Sequence, residues 1–291
     1  MAPNIYFVGM SKNCFSQLAI NLNYLIKFKS NSNFEIKICI IDSDSIDGTK
    51  EFCNNLLKQK KINKFIEIDN LEKVYNSRIE RLSISRNLGI EYLKEQEEDK
   101  LIYIPIDMDL DLFQFTTFDK LNNLISLFIE DSEVDGMFPY SIPYYYDIFA
   151  LRCKGWVDGN NLLISRMLKD KVRVFTFIFN YIYIFRKQRH INIWSQKQIN
   201  VISAFGGMGM YKIESSDFDN ISYDINQNNV NFYSEHLFFN KYFQNLSINL
   251  DWNISSPTEY TFFNSYNLFE KIMYILKTIK NDFRNIISFK S

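Results

Sequence analysis

Short apolar runs alternate with stretches of helical spacing through the first 111 residues. Ile5–Gly9 is a compact apolar run. Phe15, Leu18, Ala19, Leu22, Leu25 and Ile26 then recur at intervals that share one helix face. Phe34–Ile41 reads as a second strand, ending on Asp42, and Asp47-Gly48-Thr49 opens a second helix with Asp47 as its N-cap. Lys64–Ile68 is a third strand. Ser77–Gln96 holds a long helical pattern, and the acidic stretch Glu95–Asp99 reads as its solvated end. Leu101–Ile106 forms a fourth strand that runs into Asp107-Met108-Asp109-Leu110-Asp111.

Such alternation predicts an α/β fold, a mostly parallel sheet with helices on both faces. Ligands of such sheets bind beyond the carboxyl ends of the strands. Gly9–Asn13, Asp42–Ser45, Asp69-Asn70 and Asp107–Asp111 fall there, so polar groups converge on one edge. The second half is less regular. Leu162–Lys171 reads as helical, followed by the aromatic run Val172–Phe185 and the basic cluster Arg186–His190. Phe205–Tyr211 is a glycine-containing turn leading to a strand, Ser234–Phe243 a short helix, Ser247–Leu250 a strand and Phe269–Ile287 a C-terminal helix. No linker or repeat divides the chain, which is expected to form a single domain over 1–291, with a nucleotide-binding half at about 1–140 and an acceptor-side half at 141–291.

Composition adds limits. With 46% apolar and 23% charged residues the chain is an ordinary globular mixture, and its formal net charge of −1 supplies no field to draw nucleic acid. Cys14, Cys39, Cys53 and Cys153 are scattered, and with only His190 and His236 a Cys/His zinc site is not expected. The N-terminal residues lack the basic and apolar regions of a secretory leader, and no stretch reaches the roughly 20 apolar residues of a spanning helix. The expected location is cytoplasmic, or peripheral at the inner face of a membrane.

Asp107-Met108-Asp109, following a buried strand, suits a hard divalent cation. Mg2+ and Mn2+ often use one or two protein carboxylates and complete their shells with phosphate and water. A solvated acidic turn is the plain alternative, and Asp111 leaves the register open. Asp42 can accept hydrogen bonds from a base or ribose, whereas Asp47, Gly48 and Thr49 are explained by a strand–turn–helix junction alone.

Together these segments resemble the GT-A-fold glycosyltransferases. Asp42-x-x-Ser45-x-Asp47-Gly48-Thr49 is similar to their second-strand signature, Ser85-Arg86-Asn87-Leu88-Gly89 to their Arg-Asn helix, and Asp107-Met108-Asp109 to their D-x-D motif. Gly206–Lys212 and Ser234–Asn240 resemble the glycine-rich acceptor-side segment and Glu-His motif of some bacterial and capsule-type members. Tyr145-Tyr146-Asp147-x-x-Ala150-Leu151-Arg152 resembles the capsule-associated mannosyltransferase-like subgroup. The likeness covers roughly residues 4–250.

The resemblance implies a GT-A-like (Rossmann-like) sheet with an irregular C-terminal acceptor-side region. It also implies transfer of a sugar from a nucleoside-diphosphate sugar to a glycan or lipid-linked acceptor, with Mn2+ or Mg2+ on the diphosphate. Gly9, Ser11 and Asn13 would border the nucleotide, and Arg86 would meet a phosphate or the Asp107 carboxylate, or else lie on the helix surface. Asp109 is the preferred metal ligand, with Asp107 touching ribose or a metal-bound water. Glu235 would take the acceptor hydroxyl proton in an inverting transfer, or be an exposed helix residue. His236 would contact the leaving diphosphate or the cation, or pack as an ordinary histidine. Gly206, Gly207 and Gly209 would let backbone approach sugar, or simply form a turn. Trp156 and Trp194 offer faces to sugars or fill the core.

Residues 172–190 pair an aromatic run with basic residues, as at an anionic membrane surface, although a buried element with a solvated basic end explains them too. The rival functions are a sugar-nucleotide nucleotidyltransferase, which expects a glycine-rich basic loop after the first strand, and a catalytically silent domain binding carbohydrate or a partner.

Overall fold

Side chains of the first strand, β1 (Asn4–Ser11), alternate between two hydrophobic clusters: Ile5 and Phe7 enter one, Tyr6, Val8 and Met10 the other. A strand apolar on both sides demands cover on both sides. In the computed structural model, which describes residues 3–159, 173–189, 197–223 and 234–288, helices supply it. On one face lie α1 (Phe15–Asn31), α2 (Thr49–Lys58) and, further along, α5 (Phe118–Glu130). On the other lies α4 (Arg78–Lys94), whose Ser77 cap accepts the Glu80 N–H; the short helix α3 (Leu71–Val74) precedes it.

β1 pairs in parallel with β2 (Ile36–Ser43) and β4 (Lys100–Asp107), and β2 with β3 (Lys64–Ile68). β5 (Gly136–Ile142) runs parallel to β8 (Leu246–Ser255), β6 (Gln198–Val201) borders β8 antiparallel, and β7 (Met210–Glu214) lies antiparallel between β4 and β5. The result is one eight-stranded, mostly parallel sheet in the order β3-β2-β1-β4-β7-β5-β8-β6. The chain leaves β1 for β2 on one side and returns to β4 on the other. A crevice at the carboxyl ends of β1 and β4 follows from that reversal.

The four expected N-terminal strands are present, three of them one or two residues longer toward the polar edge. The Glu95–Asp99 stretch is largely exposed, but Glu98 turns inward and accepts hydrogen bonds from Asn4 and Tyr6. α5, β5 and β6 were not anticipated, nor was the helix α8 (Thr258–Ser265). The aromatic run is helical: α6 (Arg173–Asn180) continues through a π-helical turn, Tyr181–Phe185, into Arg186–Gln188. A short α7 (His236–Phe239) and a long C-terminal α9 (Leu268–Ser288) complete the described chain. The expected helix at Leu162–Lys171, as well as His190 and Trp194, lies outside the described residues. Among the described residues no helix is long and apolar enough to cross a membrane.

A candidate active site at the carboxyl edge of the sheet

A cleft of about 540 Å³ opens where β1 and β4 end. Met10, Ser11 and Lys12 line it from β1, Asp107, Asp109 and Leu110 from β4, and one flank of α4 from Arg78 to Arg86. Tyr146, Asp147, Phe205, Glu235, His236 and Tyr260 close the opposite side.

At its floor Arg86 is 2% exposed and holds two carboxylates at once. Nη2 donates to Asp107 Oδ1 at 2.7 Å and Nε to Glu235 Oε1 at 3.1 Å. The guanidinium also lies 4.8 Å from the Phe205 ring centre and 5.7 Å from that of Tyr223. Burial works against its charge, but the two carboxylates outweigh burial and keep the guanidinium protonated. The expected contact between Arg86 and Asp107 is therefore present, and the surface alternative is not.

Asp107 is positioned from its backbone as well. Its N–H donates to the Gly207 carbonyl at 2.8 Å, and the next N–H, of Met108, donates to Met10 O at 3.0 Å. The buried Asn21 amide on α1 gripped by the same loop donates to Met108 O at 3.2 Å and Leu110 O at 2.9 Å. With the loop pinned so, Asp107 and Asp109 line the cleft and Asp111 does not.

Among the described residues the ion pairs around the cleft join Lys12 and Arg81 to Glu72, and Arg86 to Asp107 and Glu235, and Asp109 belongs to none of them. Its side chain reaches solvent within the cleft. The surrounding walls, and then the Asp107 charge, push its carboxyl up to about 6. Among the described residues no three His, Cys, Asp or Glu side chains gather closely enough to hold an ion on their own. A carboxylate outside any ion pair, beside a second one, fits a hard cation whose remaining ligands are phosphate and water, and does not fit a closed protein cage.

Other expected residues take different places. Asp42 is fully buried: Ser11 Oγ (3.0 Å) and Ser45 Oγ (2.5 Å) donate to Oδ2 and the Ser45 N–H to Oδ1. It does not touch the cleft, and Ser11 stands there in its stead. Gly9 is a packing residue, since a Cβ would lie 2.7 Å from Ile40 Cδ1 and 2.8 Å from Met108. Asn13 ties the β1 and β2 loops together, accepting from Ile46 N–H at 2.9 Å and donating its own N–H to Ser45 Oγ. The helix cap expected of Asp47 is shared: Gly48 is the capping position, while Asp47 accepts from the N–H groups of Thr49 and Phe15.

Gly206, Gly207 and Gly209 are buried and do not line the cleft; the turn they form is what brings Gly207 O to Asp107. His236 is 2% exposed, stacked on Phe205 with ring centres 3.5 Å apart, and neither ring nitrogen has a hydrogen-bond partner among the described residues. Burial, and next the Arg86 charge, push its imidazole well below the usual range, and it forms part of the cleft wall. Trp156 is buried and donates to Lys187 O, the core alternative.

Asn21 and Asp147 were missed as site residues. Asn21 interrupts the apolar face of α1, which was a usable signal. Asp147 accepts from Gly206 N–H at 2.9 Å and Ala150 N–H at 3.3 Å, and so fastens the glycine turn. Burial pushes its carboxyl up to about 6 against those two hydrogen bonds.

No family model matches the chain, and no curated protein does. Among solved structures, a mannosyltransferase from Pyrobaculum calidifontis in complex with GDP-Man and Mn2+ is similar at 13% identity over 48% of this chain and 36% of that one, TM-score 0.36. Mannosyl-3-phosphoglycerate synthase from Rubrobacter xylanophilus is similar at 10% identity over 99% of this chain and 75% of that one, TM-score 0.40. S. aureus TarS 1–349 in complex with UDP-GlcNAc is similar at 11% identity over 96% and 67%, TM-score 0.46. The chain thus spans about a third of the mannosyltransferase it matches.

Proposed function

We propose that this chain is a GT-A-like glycosyltransferase that moves a sugar from a nucleoside-diphosphate donor to a glycan or lipid-linked acceptor. The observation that carries this reading is the pairing of Asp109, which joins no ion pair among the described residues, with an Asp107 locked to Arg86, at the switch point of a parallel sheet. Asp109, with Asp107 beside it, would hold Mn2+ or Mg2+. The cation supplies neutralisation of the charge that grows on the departing diphosphate.

Arg86 fixes the Asp107 side chain and holds Glu235 at the cleft wall. With Oε1 engaged by Arg86, Glu235 Oε2 is the atom assigned to receive the acceptor hydroxyl proton in an inverting transfer. The acceptor oxygen bonds to the anomeric carbon as the bond to the diphosphate oxygen breaks, and that electron pair leaves with the diphosphate. The Tyr145–Arg152 segment, which carries the likeness to capsule-associated members, contributes Tyr146, Asp147 and Phe149 to the cleft.

The test is incubation with a panel of nucleotide sugars, with Mn2+ or with a chelator. Metal-dependent release of nucleoside diphosphate supports transfer. Consumption of nucleoside triphosphate and a sugar phosphate, with release of pyrophosphate, would instead identify a nucleotidyltransferase, and metal-independent silence across the panel a binding domain.

A further inference from the structure

α9 has one face that packs and one that does not. Tyr274 faces inward, against Phe177 of α6 and against Phe262 and Phe263 of α8. Half a turn around the helix, Phe269, Ile272, Met273 and Leu276 recur at three- and four-residue spacing and are exposed, Phe269 at 71% and Leu276 at 54%. Leu268, at 75%, precedes them. A stripe of this spacing ordinarily marks the core side of a helix. Here it faces solvent. The helix that α9 packs on exposes Ile178, Tyr181 and Ile182 as well.

Charge selects the occupant. Five basic side chains (Arg186, Lys187, Arg189, Lys277, Lys280) edge this face, while Lys271 lies over the Phe263 ring on the packed side; the one acid within 177–189 and 268–280 is Glu270, in a chain whose formal net charge is −1. A second copy docked face to face would set these cations against themselves, because a two-fold interface pairs each patch with its own duplicate. An anionic bilayer surface satisfies both features, taking the apolar stripe at the acyl boundary and the lysines and arginines among its headgroups. Ile182 and Tyr183 share a shallow recess with Arg186 and Lys187, an apolar body and a cationic rim in one place.

We infer that α9, together with the Ile178–Arg189 segment, is a docking surface for an anionic lipid bilayer. The cleft lies beside it, since Ile184 and Gln188 of the same segment line the cleft. The inference does not rest on the proposed transfer reaction.

Flotation of the full chain with phosphatidylcholine vesicles, with and without phosphatidylglycerol, tests it. The protein should float with the anionic vesicles alone and detach as salt is raised. Phe269→Ser with Leu276→Ser, and separately Lys277→Glu with Lys280→Glu, should each lower the partition coefficient about tenfold or more. Both pairs alter exposed side chains, so unfolding midpoints should match the parent, and the charge reversal leaves the apolar packing untouched. Absence of binding to anionic vesicles, equal binding to neutral ones, or unchanged partition of both variants would overturn the inference. So would a dimer in light scattering that Phe269→Ser with Leu276→Ser converts to monomer, which would assign the face to a second copy.

Discussion

Arg86 on α4 and Asp107 at the end of β4 meet at 2.7 Å, one almost fully buried and the other at the lip of the cleft. The same guanidinium reaches Glu235, 149 residues further on. Removing it leaves two carboxylates with no counter-charge in a poorly hydrated place. Arg86→Met should therefore cost about 3–5 kcal/mol in urea unfolding at neutral pH, the usual penalty for orphaning a buried pair. Arg86→Lys should recover part of that and no more, because an ammonium cannot present two donors in a fixed fork.

Asp109 should behave in the opposite sense. A carboxyl raised to about 6 in the folded chain is more costly to ionise there than in the unfolded one. Its effect on stability is favourable at low pH and is lost as pH rises from the ordinary carboxylate range through 6. At pH 7, Asp109→Asn should leave the metal-free melting temperature unchanged or slightly higher, the effect being small for an exposed side chain. The same variant should abolish the melting shift produced by Mn2+ and the metal-dependent turnover.

Proton and cation compete for that carboxylate. The wild-type Mn2+-induced melting shift should accordingly shrink as the buffer is lowered through about pH 6. A shift that persists undiminished at pH 5 would remove Asp109 from the cation site.

Glu235→Gln keeps an amide oxygen for Arg86 Nε but cannot take a proton. Transfer should fall about a hundredfold or more. Donor affinity, measured by calorimetry with a nucleotide sugar, should remain close to the parent value. Wild-type transfer rates would exclude the base role.

Gly207 and Gly48 both have left-handed backbone, with φ of +83° and +92°, but their surroundings differ. A Cβ at Gly48 meets nothing within 4 Å, whereas one at Gly207 would lie 2.5 Å from Leu110 Cδ1 and 2.8 Å from Tyr146 Oη. Gly48→Ala should cost only the backbone term, about 1–2 kcal/mol. Gly207→Ala adds overpacking of about 1–3 kcal/mol and shifts the carbonyl that holds Asp107. Chemical unfolding of the two variants separates the terms.

The N-terminal sheet was readable because each strand is a short apolar run followed by a helix-spaced one, and both patterns are local. α5 carries an equally local pattern, with Thr117 as its cap and Leu121, Leu124, Ile125 and Phe128 on one face. β5 was hidden for a reason: Pro139 stands inside it and argues against a strand, and the register against β8 shifts at that point. In the candidate site, the acidic pair after β4 showed in sequence because one strand end carries both residues. The Arg86–Glu235 contact did not, since no spacing rule joins positions so far apart. Asp42 and the glycines looked like ligand groups because residue type alone does not distinguish a carboxylate facing a cleft from one spent on two serines.

β7 bears on how the molecule can be made. It is the strand that welds β4 to β5, yet it leaves the ribosome about seventy residues after β5, at residues 210–214. Until then β4 is a raw edge and β5 has no neighbour on that side, so the growing chain carries open hydrogen-bonding groups of the kind that other chains capture. Cutting the polypeptide near residue 140 would make that temporary condition permanent, and the released N-terminal fragment should aggregate.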